Sequence, residues 1–121
     1  MKRDVWIAMH EMALAEGVIS LIEDAARAQG FNRVRTVWLE IGRLAAVEPA
    51  ALRFSFDVVK RGTIAAEASI EFVDMPGQAW CMKCGDTVAI DERGAACPAC
   101  GSYQLQVAGG EDMRVRELEV V

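Results

Sequence analysis

The chain has 121 residues, 53% hydrophobic and 26% charged, enough to bury a core in one globular unit with at most a small satellite, and too apolar for a disordered chain. Its net charge of −5 argues against retention on nucleic acid by counterion release, which needs clustered Lys and Arg. No apolar run reaches the length of a membrane span, and the opening MKRDVWIA lacks the apolar stretch of a secretory signal, so the reading is a cytoplasmic protein without membrane insertion.

Met9 to Gly30 reads as the first helix. Leu14, Val18, Leu21, Ile22, Ala25 and Ala26 recur at spacings of three and four, Glu16, Glu23, Asp24 and Arg27 take the other face, and Gly30 supplies a C-terminal stop. Residues 33 to 41, RVRTVWLEI, alternate Val37, Leu39 and Ile41 against Trp38 and Glu40, which predicts a strand. Glu48-Pro49 then marks a helix start, with Leu52, Phe56 and Val59 at helical spacing up to an end near Lys60. Alternation returns from Ala66 to Asp74 as a second strand and is broken by Met75-Pro76-Gly77. A cysteine-rich segment from Trp80 to about Gln104 follows, then Gly109-Gly110 and a run from Met113 to Val121 that could return to the first sheet as a strand. Trp38, Phe54, Phe56 and Phe72 read as core or sheet-face residues, and Arg33, Arg35, Arg43 and Arg53 as a solvated face.

Residues 81 to 84 read CMKC and residues 97 to 100 read CPAC, each followed by glycine. Such a turn brings two thiolates to one side of a tight bend, and two facing turns complete a tetrahedron suited to zinc. Gly85 and Gly101 fit turns that need positive φ, and Pro98 stiffens the second. A disulfide reading needs an oxidising compartment, and a thioredoxin-like reading needs one motif at a strand-to-helix junction. Four thiolates on Cys81, Cys84, Cys97 and Cys100 saturate the metal, so this zinc is structural and replaces a core that so short a segment cannot build. The segment's charge is slightly acidic, which disfavours a ribbon that grips nucleic acid.

His10 is the only histidine of the chain and lies in MHEMALAEG, residues 9 to 17. Capping and partial exposure are ordinary roles for such a residue. If the helix begins at Met9, however, the amides of His10 and Glu11 are uncommitted, and imidazole with deprotonated amides suits square-planar Ni(II). A carboxylate at Glu11 could add a ligand or orient the imidazole. No serine or cysteine nucleophile has a histidine to serve it apart from His10, and no carboxylate pair stands out, so the chain does not read as an enzyme.

The runs MHEMALA at 9 to 15, VWLEIG at 37 to 42, Val47-Glu48, FDVV at 56 to 59 with Arg61-Gly62, and the doubled Cys-x-x-Cys resemble, in order and spacing, the HypA/HybF nickel metallochaperones. The resemblance implies a protein that carries Ni(II) as transient cargo during maturation of [NiFe]-hydrogenase, with a HypB-type GTPase and the hydrogenase large subunit as partners. It places nickel on His10 and Glu11 and structural Zn(II) on the four cysteines. It also implies an α+β fold, two helices on a small mixed three-stranded sheet with an inserted zinc-ribbon lobe. On this reading residues 1–76 plus 110–121 form the nickel-binding lobe and residues 77–109 the ribbon. Residues 1–8 are an N-terminal extension relative to the family motif, and Met9 is an alternative start. The competing reading is a zinc-ribbon adaptor for protein or nucleic acid that carries no nickel; a dithiol redox protein ranks third.

Overall fold

The first helix starts earlier than its periodic stripe predicts. The computed structural model describes residues 2–121, with side chains from His10 onward, and α1 runs Lys2–Gln29. The expected start at Met9 is therefore corrected: no Gly or Pro interrupts residues 2 to 8, and a formed helix propagates at little cost through such a segment. Its buried stripe is Glu11, Ala15, Val18, Ile19 and Ile22, whereas Leu21 is half exposed. The stripe thus lies rotated from the one predicted through Leu14 and Leu21. At the far end Gly30 closes the helix as expected, returning its N–H to the Ala26 carbonyl at 2.8 Å.

The other elements are β1 (Val34–Gly42), α2 (Pro49–Val59), β2 (Ser69–Met75), β3 (Gly77–Cys81), β4 (Asp86–Ile90), β5 (Leu105–Gly109) and β6 (Met113–Val120). α2 begins as the sequence suggests. Glu48 caps it, accepting from the Ala50 N–H at 3.1 Å, and Pro49 occupies the first turn, where its missing donor costs nothing. Leu52, Ser55 and Phe56 are buried and Phe54 is 65% exposed, which corrects its expected place in the core or on a sheet face. Phe54 and Phe56 are two residues apart and cannot share one helical face.

The larger sheet has the order β2-β1-β6. Val34 donates to Ile64 and Arg43 to Met75, so this flank of β1 runs parallel. Gly42 donates to Asp112 and Val121 to Arg33, so the other flank runs antiparallel. A strand, a helix and a parallel neighbouring strand form a βαβ unit, and the chain end returns beside β1 as the alternation of residues 113 to 121 suggests. The smaller sheet has the order β4-β3-β5, with both pairs antiparallel. The fold is α+β, two helices with a mixed three-stranded sheet, and the cysteine-bearing three-stranded ribbon enters the chain between β2 and β6.

The chain divides into two compact units, one of residues 1–39, 47–72 and 115–121 and one of residues 40–46 and 73–114. In the first, Ala15, Val18 and Ile22 of α1, Leu52 and Phe56 of α2, and Val34, Val37, Leu39 and Ile70 of the strands are all buried. Each large apolar side chain withdrawn in this way contributes about 1.5–3 kcal/mol before conformational entropy is counted. In the second, Leu44, Ala79 and Ile90 form a small core covered by Val88, Ala95, Leu105 and Val107. That core is thin, so a metal cross-link has much to contribute there. Backbones also meet closely in this unit: a Cβ on Gly42 would lie 2.0 Å from the Gly110 carbonyl oxygen.

Candidate metal centres

β3 delivers Cys81 at its last residue, the turn that follows carries Cys84, and Cys97 and Cys100 lie in the loop before β5. Both turns close in the same way. The Gly85 N–H returns to the Cys81 carbonyl and the Gly101 N–H to the Cys97 carbonyl, each at 2.8 Å. The two glycines have φ of 67° and 76°, the left-handed conformation predicted for them and strained for residues with a Cβ. Two further bonds fix the turns, Met82 N–H to the Gln104 carbonyl at 3.0 Å and Cys97 N–H to the Ser102 carbonyl at 2.8 Å.

The four sulfurs lie within 4.8 Å of one another, with Cys81 to Cys100 at 3.6 Å and Cys84 to Cys97 at 3.9 Å. Four thiolates at a zinc–sulfur distance of about 2.3 Å define a tetrahedron with edges of about 3.8 Å. The donor set therefore fits a tetrahedral thiophilic ion such as zinc, and none of the four cysteines forms a disulfide. Cys81 and Cys97 are buried while Cys84 and Cys100 are exposed, so a bound ion would be screened from one side. The thiols are electrostatically unequal. Hydrogen bonds with Cys100 and Cys81, then burial, push Cys84 up to about 12. Burial alone would raise Cys97 as well, but the amides of Cys100 and Ala99 stabilise its thiolate and bring it down to about 7.

The second candidate site consists of His10 and Glu11 on α1, and the structure separates these neighbours. His10 is exposed and Glu11 is 1% exposed. The Glu11 Oε2 accepts the Glu48 N–H at 2.9 Å, and its Oε1 has no hydrogen-bond partner among the described residues. Because α1 starts at Lys2, the amides of residues 10 and 11 belong to the helical ladder and are not free, contrary to the expectation from a start at Met9.

Sequence reasoning did not anticipate the Glu11–Glu48 bond, although a signal existed. Residues 11, 15, 18 and 22 follow one helical face, and all are buried. A second unanticipated pair is buried Glu40, whose Oε1 accepts from the Arg114 Nε at 2.7 Å and raises that guanidinium above its ordinary pKa. Arg53, exposed as a solvated face requires, donates to the Ile70 carbonyl at 3.0 Å with its guanidinium 4.8 Å from the Phe72 ring centroid.

Fold and donors together define a small α+β protein with a four-cysteine ribbon able to hold a metal ion. The family model described as "Hydrogenase/urease nickel incorporation, metallochaperone, hypA" matches residues 9–120. The hydrogenase maturation factor HypA of Azotobacter chroococcum is 57% identical over 112 residues, covering 93% of this chain and 99% of that protein. Its counterpart in Albidiferax ferrireducens is 59% identical over the same extent. The solution structure of the Ni metallochaperone HypA from Helicobacter pylori superposes with a TM-score of 0.69 at 20% identity, covering 92% of this chain and 97% of that one, and so supports the fold. The chain belongs to the HypA family of nickel-incorporation metallochaperones, as its motifs had suggested. The family is described by nickel incorporation and metallochaperone action, and both of these relatives are named as maturation factors.

Proposed function

We propose that the protein binds Ni(II) through His10 and Glu11 and delivers it during maturation of [NiFe]-hydrogenase, while Zn(II) on Cys81, Cys84, Cys97 and Cys100 holds the ribbon together. The observation that carries this reading is an exposed imidazole at the second residue of the span matched by the family model. Glu11 contributes its backbone nitrogen, and with His10 it makes a site of few ligands that can give up its cargo. The nickel-binding lobe is residues 1–76 plus 110–121, and residues 77–109 form the zinc lobe. A HypB-type GTPase and the hydrogenase large subunit are the partners, and the cytoplasm is the compartment. Among the described residues no helix is long and apolar enough to cross a membrane.

Calorimetry tests this reading on three forms: the full chain, a version starting at Met9, and the full chain with His10→Ala. The version starting at Met9 has a free amine beside the imidazole and is expected to bind Ni(II) at least as tightly as the full chain. His10→Ala is expected to lose nickel while retaining about one zinc per chain by elemental analysis. Ligand nitrogens must shed protons to bind, so affinity should fall as pH drops through the imidazole range. Undiminished one-to-one nickel binding by His10→Ala would leave the zinc-ribbon adaptor as the better reading.

A further inference from the structure

Glu11 presents an arrangement that a simple ligand role does not explain. Its carboxylate is buried, one oxygen accepting the N–H of Glu48 across 37 residues of sequence and the other without a partner among the described residues. An oxygen buried without a hydrogen-bond partner among the described residues has given up hydration without compensation. Glu48 is exposed and caps α2, so its N–H can turn to water if the carboxylate leaves. The carboxylate is held by one bond at a helix start and would be rehydrated on both oxygens once released.

The nickel site proposed above bears directly on that bond. Residues 10 and 11 sit inside α1, and their amide nitrogens can ligate only after the local helical bonds open. Opening the helix at residue 11 changes the direction of its side chain and withdraws the carboxylate from Glu48. We propose that the Glu11 side chain is a latch between the nickel site and the start of α2, closed in the metal-free protein and released when nickel takes the backbone at residues 10 and 11. Glu11 is on this account a positioning residue whose carboxylate is not a nickel ligand. The exposed cap at Glu48 then differs between empty and loaded carrier, which offers an acceptor protein a surface by which to distinguish them. The inference rests on the nickel reading of the previous subsection.

Linkage makes the two roles of Glu11 separable, because whatever holds the latch closed opposes nickel, and nickel opposes the latch. Glu11→Ala removes the acceptor and should bind Ni(II) about tenfold more tightly than the unaltered chain, since a hydrogen bond to a charged acceptor no longer has to be broken. Glu11→Gln keeps a carbonyl oxygen for the Glu48 N–H and should fall between the two. In the unaltered chain, saturating Ni(II) should shift the Glu48 backbone amide resonance and lower the helical circular dichroism signal, a readout that survives if Glu11→Ala fails to fold. Weakened nickel binding by both variants would make the carboxylate a ligand and overturn the latch alone. A Glu48 amide unmoved by bound nickel would overturn it equally. Absence of His10-dependent nickel binding by the unaltered chain would remove the nickel reading and the latch with it.

Discussion

A single thiol in the ribbon shows how much environment alters a residue. Cys84, pushed up to about 12 by its sulfur neighbours, holds its proton through neutral pH, whereas Cys97, lowered to about 7 against the effect of its burial, is already part-ionised there. Zinc must displace every remaining thiol proton, so zinc affinity should rise with pH. The slope of log affinity against pH should lessen by about one as Cys97 ionises through pH 7, because that thiol then has no proton left to release. Competition with a chelator at a series of pH values measures this. Cys97→Ser should lose the metal and unfold the ribbon while the helices keep their circular dichroism signal. A glycine supplies the steric counterpart. Gly110 has φ of 78°, and a Cβ there would lie 2.4 Å from the Pro76 carbonyl oxygen. Gly110→Ala should therefore destabilise the ribbon-bearing unit by about 1–3 kcal/mol or more, read as a lowered denaturation midpoint.

The elements differ in how far their neighbours in sequence determine them. α2 is bounded by local chemistry, Glu48 and Pro49 at one end and the Lys60 cap at the other, and it was legible for that reason. The bounds and the buried face of α1 were less legible, since its true stripe includes an acid whose acceptance of the Glu48 N–H becomes visible only when α2 is in place. β6 was recognised from alternation alone, and its partner β1 comes from a segment about 80 residues earlier. In the first unit its return is pinned by the Val121 N–H to the Arg33 carbonyl at 3.0 Å and by Thr36 donating to Glu119 at 2.8 Å. Deleting the last nine residues, 113–121, should strip one flank of β1 of its hydrogen bonds and lower the thermal unfolding temperature of the helical unit, followed by circular dichroism. Unchanged melting would mean that β6 contributes nothing to that unit.

At the scale of the whole molecule, the order of motifs along the chain was sufficient to reach the HypA family, and the family model covers the chain from Met9 onward. The clustering of the four cysteines was equally plain. Their spacing within each turn is local, glycine follows each pair, and no other cysteine competes, so the grouping needed no tertiary knowledge. The sequence by itself therefore determined the family, the α+β class, the thiolate site and most helix and strand identities, all of which depend on spacings of a few residues or on composition. Tertiary structure alone decided that Glu11 turns inward to α2 while His10 faces solvent, that Phe54 lies outside while Phe56 lies inside, and that Glu40 is buried against Arg114. The physical reason is common to all three. Burial and partnership depend on which remote segment is brought alongside, and periodicity in one element narrows the candidate faces without saying what will cover them.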